Sequence, residues 1–172
     1  MDWSVSSPKP KIEATDYRQV LGHYPTGVCV ITARQDDGTQ AGMAVSSFTS
    51  VSLDPPLVAF FPDKNSSSWP KIEKAGRFCV NILAADQEWI CRRFASKAED
   101  KFEGVLHHVT EHHVPVLDGV IATIECEIQS VIEAGDHYIV LGHVLALNAD
   151  RARPPLLFFQ SGYGQFQTGS LG

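Results

Sequence analysis

The stretch from Gly42 to Pro62 constrains the fold more than any other part of the chain. It reads as a strand of Ser, Thr and Val that stops at Pro55-Pro56. A short, wholly apolar strand from Leu57 to Phe61 follows. A solvent-facing strand normally alternates apolar with charged residues, yet no charge falls between Gly42 and Leu53. Small hydroxyl side chains at Ser46, Ser47, Thr49, Ser50 and Ser52 leave backbone amides approachable. Two readings fit this pattern. The strand carries a flat, polar-edged ligand, or it is a Ser/Thr-rich strand packed on a neighbour, since strand composition follows context.

Strand patterns also dominate around it. Val28 to Ala33 is apolar and β-branched, and Asp36 to Thr39 is a hairpin turn with Gly38 free to take positive φ. Phe78 to Leu83 reads as a buried strand. Ile121 to Ala134 alternates, with Glu125, Glu127 and Gln129 on one face and Ile124, Cys126 and Ile128 on the other. Glu133 to Asp136 is a turn, His137 to Leu147 the returning strand, and Leu156 to Phe159 a last one. Short helices interrupt this series. Asp16 to Leu21 has Asp16 as cap with Gln19 three residues on. Trp69 to Ala75 follows a cluster of serines and stops at Gly76. The third is capped by Asp86, runs to about Phe94, and turns Trp89, Ile90 and Phe94 to one face. Ala95 to Leu117 reads as irregular. Hairpin-linked strands with helical insertions predict a mainly β fold, an antiparallel barrel, and no Rossmann site is supported.

A chain of 172 residues with 44% hydrophobic content predicts one domain, with an N-terminal arm to about residue 12 and a tail from about residue 165. The net charge of −6 argues against nucleic acid as a main partner. No apolar run approaches the roughly 20 residues that cross a bilayer, and the start lacks a secretory core. Cys29, Cys79, Cys91 and Cys126 form no Cys-x-x-Cys pair. Reduced thiols in a cytoplasmic protein are the expectation.

Four clusters carry possible chemistry. Asp63 to Trp69 joins three serines to a helix start, which suits a phosphate as well as plain capping, and Lys64 adds positive charge. Gly135-Asp-His137 places a histidine at a strand start, as a donor to a cofactor or as an exposed turn residue. His143 shares its face unless Gly142 marks a bulge. His107 to His113 contains His108-Val-Thr-Glu-His112, a His-x-x-Glu-His match. β-Branched residues and the flanking Gly104 and Pro115 argue against the helix that zinc chemistry needs, so no metal site is assigned. Arg92, Arg93 and Lys97, with Lys101 nearby, suit a phosphate or a solvated helix end. No nucleophile relay is identifiable, which is compatible with a cofactor enzyme.

Tyr24-Pro-Thr-Gly-Val28, the segment Gly42 to Val58, Phe78 to Leu83, Gly135-Asp-His137 and Pro155-Leu-Leu-Phe158 follow one another in a set order. In that order the chain resembles the short-chain flavin reductase family, over about Tyr17 to Tyr163. These are the reductase components of two-component flavin-dependent monooxygenases, and the likeness runs to those serving aromatic and steroid-ring hydroxylases. The resemblance implies an FMN-binding split barrel, Greek-key-like, working as a homodimer with its site near the subunit interface. It implies reduction of FMN or FAD by NADH or NADPH and release of reduced flavin to a separate oxygenase component. By position, Met43, Ala44, Ser46 and Ser47 would line the isoalloxazine and ribityl chain. Pro62, Asp63, Ser67 and Ser68 would hold the ribityl and phosphate end, with Lys101 and Phe102 approaching the tail. His137, the one catalytic assignment, would position the nicotinamide, and Tyr163 would close the pocket. Nothing carries over to the histidine-rich loop from Glu103 to Pro115, nor from any tail beyond Tyr163.

The choices of FMN or FAD and of NADH or NADPH stay open at this level. Arg92, Arg93 or Lys97 would be the residues to meet a 2′-phosphate. Two other functions share the same pocket: a non-catalytic FMN-binding or sensing protein, and a self-contained flavoenzyme such as a cobalamin reductase.

Overall fold

The computed structural model describes residues 10–150, 153–166 and 169. Most of the expected N-terminal arm and tail lies outside the described residues.

The chain opens with α1 (Ala14–Leu21) and β1 (Thr26–Gly27). The hairpin of β2 (Cys29–Arg34) and β3 (Gln40–Val45) turns where expected, with Gly38 at φ +89° and Asp37 Oδ1 accepting from the Thr39 amide. Next come β4 (Thr49–Leu53), β5 (Pro56–Phe60), α2 (Trp69–Ala75), β6 (Arg77–Ile82), a 3-10 turn (Ala85–Gln87) and α3 (Glu88–Ala95). A short hairpin of β7 (His107–Val109) and β8 (Pro115–Leu117) precedes a long one, β9 (Ala122–Ala134) and β10 (His137–Ala149). β11 (Leu156–Phe159) and β12 (Gly162–Gln165) join β1 in a small sheet.

The main sheet runs β3-β2-β6-β9-β10-β5-β4, antiparallel at each pairing. β3 and β4 are consecutive in the chain but stand at its two edges. Laid flat, seven strands would set those edges about 29 Å apart. The chain from Val45 to Thr49 reaches at most about 14 Å. The sheet must therefore curl until its edges approach, which makes it a split barrel. The single strand expected from Gly42 to Leu53 is thus two strands, broken at Ser46-Ser47-Phe48.

Ile31, Phe60, Ile72, Phe78, Val80 and Val140 fill the curl, each fully buried. Burying a side chain of that size contributes about 1.5–3 kcal/mol. A second cluster, including Val30, Leu83, Ile90, Phe94 and Leu156, packs α3 against the outside of the sheet. β9 alternates as expected as far as Gln129, where the register with β10 slips between Leu141 and Gly142. The extra residue, Gln129, lies on β9. β10 therefore keeps its own alternation, and His137 and His143 share a face. Gly142 is required there because a Cβ would lie 2.5 Å from the Phe78 ring.

Two expected caps are made by other residues. Glu13 takes the N-cap position of α1 and Asp16 falls inside its first turn. Asp86 pairs with Arg153, and Gln87 reaches back to accept from the Ala84 amide at 3.0 Å. On α3, Trp89 is 54% exposed, and Cys91 joins Ile90 and Phe94 on the buried face.

The irregular stretch expected up to Leu117 contains the β7–β8 hairpin. It is pinned from beneath by a buried polar network. Asn81 Nδ2 donates to the Val30 carbonyl oxygen at 3.0 Å and to Thr32 Oγ1 at 2.9 Å. Asn81 Oδ1 accepts from the Leu117 amide at 2.8 Å, and Thr32 Oγ1 donates to the Pro115 carbonyl oxygen. His108 thus stands on a strand, and His112 Nδ1 donates to Glu125 Oε2 at 2.8 Å. The helical turn that His-x-x-Glu-His chemistry needs is not formed.

All four cysteines are free and buried, and burial pushes the Cys29 and Cys126 thiols up to about 12. Among the described residues no helix is long and apolar enough to cross a membrane.

Asn81→Ala removes the partner of a fully buried amide, and an orphaned group of that kind costs about 1–3 kcal/mol. Urea unfolding of the variant is expected to show a loss of at least that order with an unchanged denaturant slope. A variant as stable as the wild type would mean that the hairpin is held by its apolar contacts alone.

Candidate active site

β3 is an edge strand, so among the described residues one side of its backbone pairs with no other strand. Three recesses follow that free edge. The largest, a groove of about 790 Å3, brings together Met43, Ala44, Ser46, Ser47, Asp63 and His137. Tyr17 and Leu21 of α1, Phe61 and Ile139 also line it, and none of them is among the expected site residues.

Backbone bonds hold the groove open. The Phe61 amide donates to Ser47 Oγ at 3.1 Å, extending the β4–β5 pairing past Phe48. The Ser47 hydroxyl is thereby committed, and what it offers a ligand is its backbone. The Tyr138 amide donates to the Pro62 carbonyl oxygen, and the Lys64 amide to that of Asp136, each at 2.9 Å. These bonds clamp residues 62–64 onto the start of β10 and set Asp63 opposite His137 in a β-bridge. Pro62 itself is buried behind the groove. Asp63 Oδ1 accepts from the Asn65 amide at 2.7 Å, folding the turn toward α2. His137 Nδ1 donates to Asp136 Oδ1 at 2.7 Å, which leaves Nε2 free to bond elsewhere. That hydrogen bond, with the imidazole charge behind it, holds the Asp136 carboxyl below its ordinary range.

The second recess, of about 60 Å3, lies at the other end of β3. It gathers Ser67 and Ser68 with Lys101 and Phe102, together with Gly42, Lys71, Glu99 and Asp100, whereas Asp63, expected beside the two serines, stands in the large groove instead. Lys101 Nζ is held by three neutral oxygens: Phe94 O at 2.9 Å, Ser68 Oγ at 3.1 Å and Gly42 O at 3.3 Å. Among the described residues Lys101 makes no ion pair, and an amine so placed can exchange one of these neutral oxygens for an anion. Its burial, and then Lys71, lower its pKa from the ordinary lysine range. Gly42 is needed where α3 meets β3, since a Cβ there would fall 2.4 Å from the Phe94 ring.

Two details of the expected phosphate site change. Ser66 Oγ caps α2, accepting from the Ser68 and Trp69 amides at 3.3 Å. Lys64 turns to Glu133 at 3.0 Å and sits over the Tyr138 ring, on the side of the hairpin away from His137. Lys71, one turn beyond Ser68, brings the positive charge instead. That spacing was the signal that could have found it.

The third recess, about 170 Å3, shares Ala44, Val45 and Ser46 with the groove and is closed by Phe158 and Tyr163. Tyr163 packs on Phe158, lies under Arg92, and shares a hydrogen bond with Cys91 that, with burial, pushes its hydroxyl up to about 12. Arg92 is paired with Glu88 at 2.6 Å and Arg93 with Glu103 at 2.9 Å. Both arginines expected near a 2′-phosphate are thus committed to carboxylates.

The arrangement fits a long planar ligand with an anionic tail: unpaired strand backbone along its body, a lysine at its end, and a groove beside it for a second molecule. Residues 21–167 match the flavin reductase like domain family. The chain is 57% identical over 150 residues to a flavin reductase of Pseudomonas putida, covering 87% of this chain and 88% of that protein. It is 44% identical over 152 residues to HsaB, the reductase subunit of a flavin-dependent monooxygenase of Rhodococcus jostii, covering 88% of this chain and 77% of the other. Its structure resembles that of SgcE6, an NADH:FAD oxidoreductase of Streptomyces globisporus solved with NAD and FAD fragments. The TM-score is 0.86 and the identity 35%, over 91% of this chain and 94% of that one.

The lowered pKa of Lys101 sets a pH dependence. Between that lowered value and the ordinary lysine range, the unfolded chain holds a proton that the folded site has released. Stability of the unliganded protein therefore rises with pH across that window. A bound phosphate favours the charged amine and returns the proton, so FMN affinity is expected to fall as pH rises toward 10.5. Lys101→Met is expected to weaken FMN binding by roughly 10- to 100-fold and to flatten this alkaline fall. Titration of flavin fluorescence from neutral pH upward measures both.

Proposed function

The chain belongs to the flavin reductase family, and on that footing we propose that it reduces FMN or FAD with hydride from a nicotinamide dinucleotide and supplies the reduced flavin to a separate monooxygenase component. The observation that carries this reading is the free edge of β3, with Lys101 at one end and the His137 groove at the other. Flavin supplies the redox chemistry when bound, accepting the hydride that the dihydronicotinamide gives up.

The residues of this chain bind and orient. Met43, Ala44, Ser46 and Ser47 line the ring's place, with Pro62 and Asp63 shaping the turn beside it. Ser67, Ser68, Lys101 and Phe102 enclose the phosphate end, and Tyr163 closes the far side. His137 offers Nε2 to the carboxamide of the nicotinamide and holds it in the groove. Orientation of the two rings at near-attack distance supplies most of the rate. NADH is the proposed donor in preference to NADPH: of the three residues expected at a 2′-phosphate, Arg92 and Arg93 already pair with Glu88 and Glu103, and the exposed Lys97 alone is left for it.

We take the chain as a single flavin reductase domain in the cytoplasm, acting as a homodimer. The dimer is supported by α1, which has no buried residue of its own and leaves Tyr17, Val20 and Leu21 at least half exposed. β4 adds an open edge with Leu53 at 97% exposure.

The deciding experiment follows oxidation of NADH in air with and without added FMN or FAD. Fast oxidation that depends on added flavin is expected, and NADPH is expected to be the poorer donor. Absence of oxidation with either flavin and either nucleotide would leave a protein that only holds flavin. His137→Ala is expected to raise the KM for NADH while leaving the KM for flavin unchanged, with kcat falling less than about tenfold. A larger fall in kcat at saturating NADH would make His137 a proton donor as well.

A further inference from the structure

His107 lines none of the three recesses, yet it is tied to two residues that form the phosphate pocket. Its Nδ1 lies 2.8 Å from the Val105 carbonyl oxygen. A carbonyl only accepts, so Nδ1 carries the proton. In the neutral ring Nε2 is then an acceptor, and Gln40 Nε2 donates to it at 3.1 Å. That bond decides which way the Gln40 amide faces.

The imidazole also packs on Phe102, with ring centroids 4.9 Å apart, and Phe102 meets Phe94 edge-on at 5.1 Å. Phe94 contributes the carbonyl that holds Lys101 most closely, and its ring fills the space beside Gly42. Phe102 follows Lys101 directly in the chain and packs on Phe94, whose carbonyl holds the amine, so the ring's place bears on both ends of that bond. Gln40 stands two residues before Gly42 on β3, whose carbonyl is another of the acceptors of Lys101. His107 thus supports the pocket from two sides, through the strand and through the aromatic pair.

We propose that His107 is a positioning residue for the phosphate end of the flavin, acting through Gln40 and Phe102 to hold the Lys101 amine in place. This rests on the reading of the pocket given under the proposed function. A residue that acts this way changes the binding of flavins that carry a phosphate and spares those that do not. A residue needed only for packing changes both alike.

The test compares FMN with riboflavin, which has the same ring and no phosphate, by fluorescence titration of the full-length protein. The ratio of the two dissociation constants in the wild type measures what the phosphate contributes. In His107→Ala and His107→Asn that ratio is expected to fall by a factor of about three to ten, with the riboflavin value unchanged. Glutamine at this position sets an oxygen near the place of Nε2 and keeps the bond to Gln40 without the ring contact, so His107→Gln is expected to lose less of the ratio than His107→Asn. Asparagine reaches Val105 alone. Should the alanine variant fail to fold, the contrast between glutamine and asparagine carries the same information. An unchanged ratio in every folded variant, or an equal weakening of FMN and riboflavin, overturns the proposal. A wild type that binds riboflavin and FMN equally removes the phosphate pocket itself, and this inference with it.

Discussion

A short stretch of chain has to pass from one edge of a seven-stranded sheet to the other, and the architecture follows from that requirement. Ser46-Ser47-Phe48 is too short to cross a flat sheet, so the sheet rolls up. Rolling buries one face of each strand and gathers Phe60, Phe78 and Val140 into a common interior. The roll stops short at β3, which keeps a free backbone edge, and the recesses lie along that edge.

The same constraint explains why the site needs no dedicated catalytic relay. Rolling brings the end of β3 against residues 61–63 and the start of β10, so three separated parts of the sequence meet in one groove. The clamp of Tyr138 onto Pro62 and of Lys64 onto Asp136 fixes their spacing through backbone atoms. At the other end of β3, α3 approaches closely because position 42 has no side chain, and the Phe94 carbonyl becomes a ligand for Lys101. Positioning is therefore built into the scaffold, and hydride chemistry asks mainly for positioning.

Much of this was legible in the sequence because it is local. The turn at Asp36–Thr39, the stop at Gly76, the turn at Glu133–Asp136 and the alternation of Glu125 and Glu127 with Cys126 need only nearest neighbours, and all are found. The recesses also contain Met43, Ser46, Asp63, Ser68, Lys101, His137 and Tyr163, which the family resemblance implies as site residues. What was not legible depends on distant partners. No glycine or proline marks the break after Val45, because tertiary pairing to Phe61 makes it. Asp86 gave up its cap to pair with Arg153, 67 residues away. Lys64 met Glu133 across the hairpin, which left Lys71 and Lys101 to carry the charge. The β7–β8 hairpin is anchored by Asn81, 36 residues before Leu117 in the chain, and no pattern within the histidine-rich segment could announce it.

On the proposed reading, flavin lies along the free edge of β3 with its phosphate at Lys101. A crystal structure of the protein with FMN tests it most directly. The ring is expected against residues 43–47 and the phosphate within hydrogen-bond distance of Lys101 Nζ and Ser68 Oγ. A flavin ordered elsewhere, with Lys101 still bonded only to Phe94, Ser68 and Gly42, would contradict it.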